Sequence, residues 1–145
     1  MGYLLVFLQF GILFLLASLV IQEHGLDIRQ PIALWLFTIS FITGTWAILT
    51  NRPGNFNITP VPKPGGSMIS HGPYRWIRHP MYTSVLLFAL ACSTIIEKTL
   101  GWTAFVALVA VLSIKARMEE GYMLKTHNGY KEYMARTRRF IPWTL

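Results

Sequence analysis

Apolar and polar positions divide this chain into long blocks. Tyr3 to Ile21 is apolar apart from Gln9 and Ser18, and Ile32 to Thr50 forms a second apolar run. Each is long enough to cross a bilayer core of about 30 Å at about 1.5 Å per residue. Between them Gln22 to Gln30 is a polar turn with Glu23, Asp27 and Arg29, and Pro31 suits the first turn of a helix, where its missing N–H costs nothing. Asn51 to His71 breaks the pattern. Its Pro53, Pro60, Pro62 and Pro64, with Gly54, Gly65 and Gly66, rule out a regular helix over most of its length. Apolar residues return over Tyr82 to Ile96 and Thr99 to Ile114, split only by Glu97-Lys98, which predicts a tight helical hairpin. Gly101, Ala104, Ala107 and Ala110 predict a small-residue packing face on its second arm. Glu119 to Thr137 is polar, with Tyr122, Tyr130, Tyr133 and Met134 near helical spacing. It reads as one or two interfacial amphipathic helices broken near Asn128-Gly129.

The blocks predict an all-α integral membrane protein with a single domain. About four transmembrane helices cover residues 3–21, 31–50, 80–96 and 99–117, with a loop over 51–79, a C-terminal helical hairpin and an amphipathic tail over 118–145. The first run is expected to be a span rather than a signal peptide, since no Lys or Arg precedes it and no small-x-small site follows. Composition agrees: 53% of residues are hydrophobic and 13% charged, about half the charged fraction of a soluble domain. The net charge of +7 does not point to nucleic acid, because the basic residues fall in two blocks between apolar runs, Arg52 to Arg78 and Lys115 to Arg139. By the positive-inside rule both blocks, and with four spans both termini, face the cytoplasm. Trp35 and Trp46 fit an interfacial belt. Cys92 stands alone inside an apolar run, so no internal disulfide forms, and no Cys/His spacing suits a metal.

Chemistry concentrates in Gly72-Pro73-Tyr74-Arg75-Trp76-Ile77-Arg78-His79-Pro80-Met81-Tyr82. The hairpin returns to the side it left, which sets Arg78 and His79 close to Glu119 and Glu120 as a charged rim over an apolar cavity. Pro80 pushes His79 toward an extended backbone, so its ring projects where free N–H groups favour anions. The two adjacent carboxylates, with little else to pair with, favour a cation or an amine. A ligand carrying both a carboxylate and a positive group suits such a rim. Each member also has a bland reading: Arg75 and Arg78 as headgroup anchors, His79 as a structural interfacial histidine, and Glu119 and Glu120 as a solvated helix end beside Lys115 and Arg117. An ionisable cluster at a membrane helix mouth is a stronger signal than any one of them.

At these residues the sequence resembles the isoprenylcysteine carboxyl methyltransferase and phospholipid methyltransferase superfamily. The resemblance runs from about Pro64 to Pro142. It is carried by Gly72-Pro73-Tyr74, Arg78-His79-Pro80-Met81-Tyr82, Glu119-Glu120, and Gly129-Tyr130-Lys131-Glu132-Tyr133 leading to Phe140-Ile141-Pro142. It implies a multi-pass membrane methyltransferase that uses S-adenosylmethionine and acts on a lipophilic or amphiphilic carboxylate or amine at the cytoplasmic face. Carried over, Arg78, His79, Pro80, Met81 and Tyr82 line the cofactor site, with Tyr74 and the backbone of Gly66, Ser67, Met68 and Ile69 before them. Glu120 matches the cofactor-contacting Glu best, with Glu119 one residue away, and Arg117 stands close to an Arg that holds the substrate carboxylate. The tail after Gly129 is expected to close over the cofactor as a lid.

Two other classes compete. Membrane sterol reductases share an Arg-His-Pro-x-Tyr element and bind NADPH, but their Asn before the Tyr is Met81 here and this chain is short for a ring-binding reductase. A non-enzymatic membrane subunit has no use for the clustered ionisable residues.

Overall fold

The computed structural model describes residues 2–25, 29–51 and 67–142. Among these residues the chain is all helical: α1 Gly2–His24, α2 Pro31–Asn51, a single 3₁₀ turn Gly72–Arg75, α3 Pro80–Ile96, α4 Thr99–Thr126 and α5 Tyr130–Arg136. By length and composition α1, α2 and α4 can cross a membrane, and α3 is a shorter apolar helix of 17 residues.

Apolar residues face both ways, as lipid requires. α1 buries Leu5, Gln9, Leu16 and Val20 along one stripe and turns Phe7, Phe10 and Phe14 outward. α2 buries only small residues, Ala33, Ser40 and Ala47, while Trp35, Phe41 and Leu49 are exposed. That small stripe lets α3 approach closely. The Ser40 hydroxyl donates to the Ser84 carbonyl across 2.7 Å, and a Cβ on Gly44 would stand 3.0 Å from Ser84 Oγ.

The small-residue face expected on α4 is corrected. Gly101 and Ala104 are buried, but Ala107 and Ala110 are exposed. A repeat of three falls behind the helical period of about 3.6, so Ala110 sits about half a turn from Gly101. The buried face of α4 instead follows Gly101, Ala104, Leu108, Leu112, Lys115, Ala116 and Glu120.

The α3–α4 turn is built by Glu97, which takes a left-handed backbone at φ 54°. The Ser93 hydroxyl lies 2.9 Å from the carbonyls of both Ala89 and Gly101. Lys98 pairs with Glu23 at 2.7 Å and Gln30 donates to Glu97 at 2.9 Å. These contacts gather the end of α1, the start of α2 and the hairpin turn at one end of the bundle. The start of α3 and the acidic end of α4 therefore meet at the other.

α4 extends beyond the span expected over 99–117. It has 28 residues and runs on as one helix to Thr126, past residue 117, where the expected span ends. At about 1.5 Å per residue it is about 42 Å long, longer than a bilayer core of about 30 Å. Glu119 and Glu120 lie on a continuous helix rather than at the start of a free tail.

Candidate functional site

The site begins where the chain re-enters the bundle. Gly72 has φ +58°, and a Cβ there would lie 2.7 Å from Thr50 Oγ1 at the end of α2, so only glycine fits without strain. The 3₁₀ turn that follows buries Tyr74. Burial pushes the Tyr74 phenol up to about 12, against the opposing effect of its hydrogen bond with Asn51. Pro80 starts α3, and His79 before it is kept out of the helical region by the following proline ring, at φ −126° and ψ 60°, which falls short of the extended backbone expected.

The tail is not a free interfacial helix. Tyr130 and Tyr133, expected at the membrane surface, are 3% and 4% exposed. The Tyr133 hydroxyl donates to the Tyr74 carbonyl at 2.7 Å. Beyond α5 the chain runs parallel to Trp76–His79 and bonds to it through the backbone. Arg138 N–H donates to Trp76 O at 3.0 Å, Arg78 N–H to Arg138 O at 2.7 Å and His79 N–H to Arg139 O at 3.1 Å. Thr83 then donates to Phe140 O at 2.7 Å. Two segments distant in the sequence thus form one layer over the mouth of α3.

Beneath this layer the charges meet. Glu120 is 3% exposed and takes Arg78 Nε at 2.8 Å and Arg139 Nη2 at 2.5 Å, with His79 Nε2 at 3.3 Å. Arg78 Nη1 reaches on to the Thr137 carbonyl at 2.5 Å and the Met134 carbonyl at 3.2 Å. Glu119 stands on the other side of the imidazole, 3.4 Å from His79 Nδ1, and accepts the Tyr82 hydroxyl proton in a short hydrogen bond. The rings of His79 and Tyr82 stack with centroids 5.4 Å apart and planes 5° from parallel, and Phe140 tilts against both. Burial alone lowers the pKa of His79, but its hydrogen bonds to Glu119 and Glu120 and their charges outweigh this and raise it.

Two readings of the acidic pair change. The carboxylates do not lack partners, and Glu120 and His79 are buried rather than set on a rim. Glu120 is neutralised by two arginines, while the Glu119 side chain keeps 23% exposure. Of the two carboxylates, Glu119 is the one with a surface left for a ligand. Arg78, His79, Tyr82, Glu119 and Glu120 come together; Pro80 is buried and Met81 half-buried at the helix start. Ser67 is exposed, and Met68 and Ile69 are half-buried on the approach to the 3₁₀ turn. Gly66 lies outside the described residues. Arg117 is exposed and belongs to none of the described ion pairs.

Lys115, taken from the sequence as a topology residue, takes an inner position. It is 2% exposed, donates to Gln9 of α1 at 2.6 Å, and lies 5.1 Å from the centroid of the Tyr82 ring. It sits one turn before Glu119. The signal for it was Gln9, a polar residue in an otherwise apolar span, which needs a buried partner. Arg139 was the second omission, because a basic tail gives no sign of which arginine turns inward.

The cluster stands at a membrane helix mouth, with His-Pro on one helix and a Glu pair on its neighbour. The family model for the isoprenylcysteine carboxyl methyltransferase (ICMT) family matches residues 32–125, taking in the 3₁₀ turn, all of α3 and nearly all of α4. A relative in Bacillus subtilis (strain 168), printed as "Uncharacterized protein YpbQ", is 30% identical over 115 residues, which cover 75% of this chain and 67% of that protein. With the family match spanning well over half its length, this chain belongs to the isoprenylcysteine carboxyl methyltransferase family of membrane methyltransferases.

Proposed function

We propose that the protein transfers the methyl group of S-adenosylmethionine to a lipophilic or amphiphilic acceptor, a carboxylate or an amine, at the cytoplasmic face of the membrane. The observation that carries the reading is the division of labour in the acidic pair. Glu120 is saturated by Arg78, His79 and Arg139, whereas Glu119 is held by Tyr82 and His79 and stays partly exposed. The residues present fit the cofactor chemically. A partly exposed carboxylate suits an α-amino group, and the faces of Tyr82 and Phe140 suit a sulfonium through cation–π attraction.

When bound, the cofactor supplies a methyl group on a good leaving group, so the protein's part is positioning and exclusion of water. His79 and Tyr82 fix the Glu119 carboxylate. Arg78 ties the start of α3 to the tail and so holds the layer over the site closed to solvent. A carboxylate acceptor needs no general base. An amine acceptor must lose a proton, and Glu119 is the carboxylate placed to receive it. Lys115, over the Tyr82 ring, is a further buried cation placed to favour an acidic acceptor.

Titrating S-adenosylhomocysteine and NADPH against the purified protein tests the cofactor. Binding of the first and not the second is expected; NADPH binding alone overturns the reading. Labelled methyl transfer into a total lipid extract, followed by product identification, then names the acceptor.

A further inference from the structure

A cavity of about 480 Å³ opens at the end of the bundle that carries the α3–α4 turn. Its walls are Gln30, Pro31 and Ile32 where α2 begins, Thr94 and Glu97 where α3 ends, and Trp102 near the start of α4. The volume falls in the range of small-ligand sites, about 300–1,000 Å³. Trp102 and Glu120 lie on the same helix, about 27 Å apart along its axis at about 1.5 Å per residue. The cavity is therefore remote from the charge cluster and from the layer that covers it.

The polar groups of the wall are acceptors whose hydrogens are committed elsewhere. The Thr94 hydroxyl donates to the Ala91 carbonyl at 2.7 Å, which leaves its oxygen only to accept. The Gln30 amide nitrogen donates to Glu97 Oε1 at 2.9 Å, which leaves its carbonyl oxygen to accept. Glu97 Oε2 accepts no hydrogen bond among the described residues, and Glu97 is in none of their ion pairs. The adjacent cation, Lys98, is drawn away to Glu23 of α1 at 2.7 Å. No Lys, Arg or His stands among the described residues of the wall. Trp102, 43% exposed, adds an indole face, the aromatic surface that attracts cations best.

We propose that this cavity binds a primary ammonium group, with Glu97 as its counter-ion, Gln30 and Thr94 as acceptors and the Trp102 ring against the cation. A primary ammonium carries three N–H donors, one for each acceptor. The bound amine lies too far from Glu119 and Glu120 to be a methyl acceptor, so the site is distinct from the reacting centre and does not rest on the proposed reaction. The exposed Ile32, Trp35 and Leu100 at the same end set the cavity at an apolar boundary, within reach of an amine-headed lipid and of a free amine.

The experiment uses the full chain in non-ionic detergent. Native mass spectrometry and thermal shift measure binding of dioleoylphosphatidylethanolamine, its N-acetyl derivative, dioleoylphosphatidylcholine and ethanolamine, with S-adenosylhomocysteine in parallel. The wild type is expected to hold phosphatidylethanolamine about tenfold more tightly than the N-acetyl derivative, which lacks the cation. It should also prefer phosphatidylethanolamine to phosphatidylcholine, which keeps the charge but has no N–H donors. Glu97→Gln is expected to lose about tenfold, the size of a charge-assisted contact, and Trp102→Leu about threefold, the size of an exposed cation–π contact. Both variants should bind S-adenosylhomocysteine as the wild type does. Tighter binding of the lipid than of ethanolamine assigns a head group, and equal binding assigns a free amine. The proposal is overturned if folded Glu97→Gln retains wild-type binding, or if the N-acetyl derivative or phosphatidylcholine binds as tightly as phosphatidylethanolamine. Should Glu97→Gln fail to fold, Glu97→Gly decides in its place, because glycine suits the left-handed backbone at φ 54°; it too should lose binding. Failure of S-adenosylhomocysteine to bind the wild type would sink the cofactor reading and leave this one standing.

Discussion

Glu119 and Glu120 are adjacent and chemically identical, yet their surroundings give them different work. Glu120 is buried among Arg78, Arg139 and His79. Removing its charge leaves the Arg78 guanidinium, itself only 9% exposed, without a counter-ion. Breaking one side of a buried pair costs about 3–5 kcal/mol, so Glu120→Gln should melt well below the wild type in a thermal scan. Glu119→Gln should keep wild-type stability within about 1 kcal/mol, because the amide still accepts the Tyr82 hydroxyl and Glu120 still faces His79, yet it should lose S-adenosylhomocysteine affinity. Equal melting losses in the two variants would show that the division of roles is wrong. His79 gives a pH dependence whose sign is fixed. Its pKa is raised in the folded protein despite burial, through Glu119 and Glu120. The stabilisation is fully present below the unfolded value of about 6.5 and is lost as pH rises through the folded value. Melting temperature should fall across that window in the wild type, and His79→Gln should flatten this fall.

At the scale of elements, the site depends on how the tail docks on the 3₁₀ turn. Tyr133→Phe deletes the hydroxyl that meets the Tyr74 carbonyl, a loss of about 1 kcal/mol. Hydrogen exchange should show it as faster exchange at the Arg78, His79 and Arg138 amides, which carry the backbone bridge. Gly72→Ala tests the other anchor. A left-handed backbone costs a non-glycine residue about 1–2 kcal/mol, and the new Cβ also meets Thr50 Oγ1 at 2.7 Å and Cγ2 at 2.9 Å. Adding Thr50→Ala should recover the steric part and leave the backbone part, so the double variant should fall between Gly72→Ala and wild type. These contacts also show what the sequence could reveal. Apolar runs and Pro31, Pro80 and Glu97-Lys98 marked the helices and the hairpin turn, because lipid solubility and proline chemistry act locally. The same hairpin logic placed Arg78 and His79 beside Glu119 and Glu120. The docking of the tail was not legible: Trp76–His79 pairs with Arg138–Arg139 through backbone N–H and C=O groups, which every residue carries. Tyr130 and Tyr133 looked amphipathic because an aromatic stripe serves an interface or a packed turn equally well. The α4 small-residue face misled for a simpler reason, a period of three laid on a helix of about 3.6.

For the whole molecule the open question is which end meets the cytoplasm, and the ends differ sharply in charge. Among the described Lys and Arg residues, only Arg29 and Lys98 belong to the end that carries the α3–α4 turn, and Lys98 is paired with Glu23. The opposite end carries the Glu120 cluster, the exposed Arg75, Lys125, Lys131 and Arg136, and a cleft lined by Arg138. Basic residues flanking short loops are retained on the cytoplasmic side during insertion. The same residues then face the anionic leaflet, each attracted by about 1 kcal/mol near its surface. On the proposed function, orientation and chemistry favour the same arrangement, in which a water-soluble cofactor would reach the cluster from the cytoplasm and an apolar acceptor from the bilayer. Single cysteines can decide it, because the native Cys92 is buried and gives little background. Lys131→Cys on α5 and Thr99→Cys at the hairpin turn are both exposed positions outside the charge cluster. With a membrane-impermeant maleimide, Lys131→Cys should label in inverted vesicles and stay protected in intact cells, and Thr99→Cys should do the reverse. Labelling of both from one side would mean that α3 and α4 form a re-entrant hairpin rather than two spans, an outcome that the 17 residues of α3 make worth testing. Labelling with the two sides exchanged would place the charge cluster outside the cytoplasm and remove the cofactor's route to it.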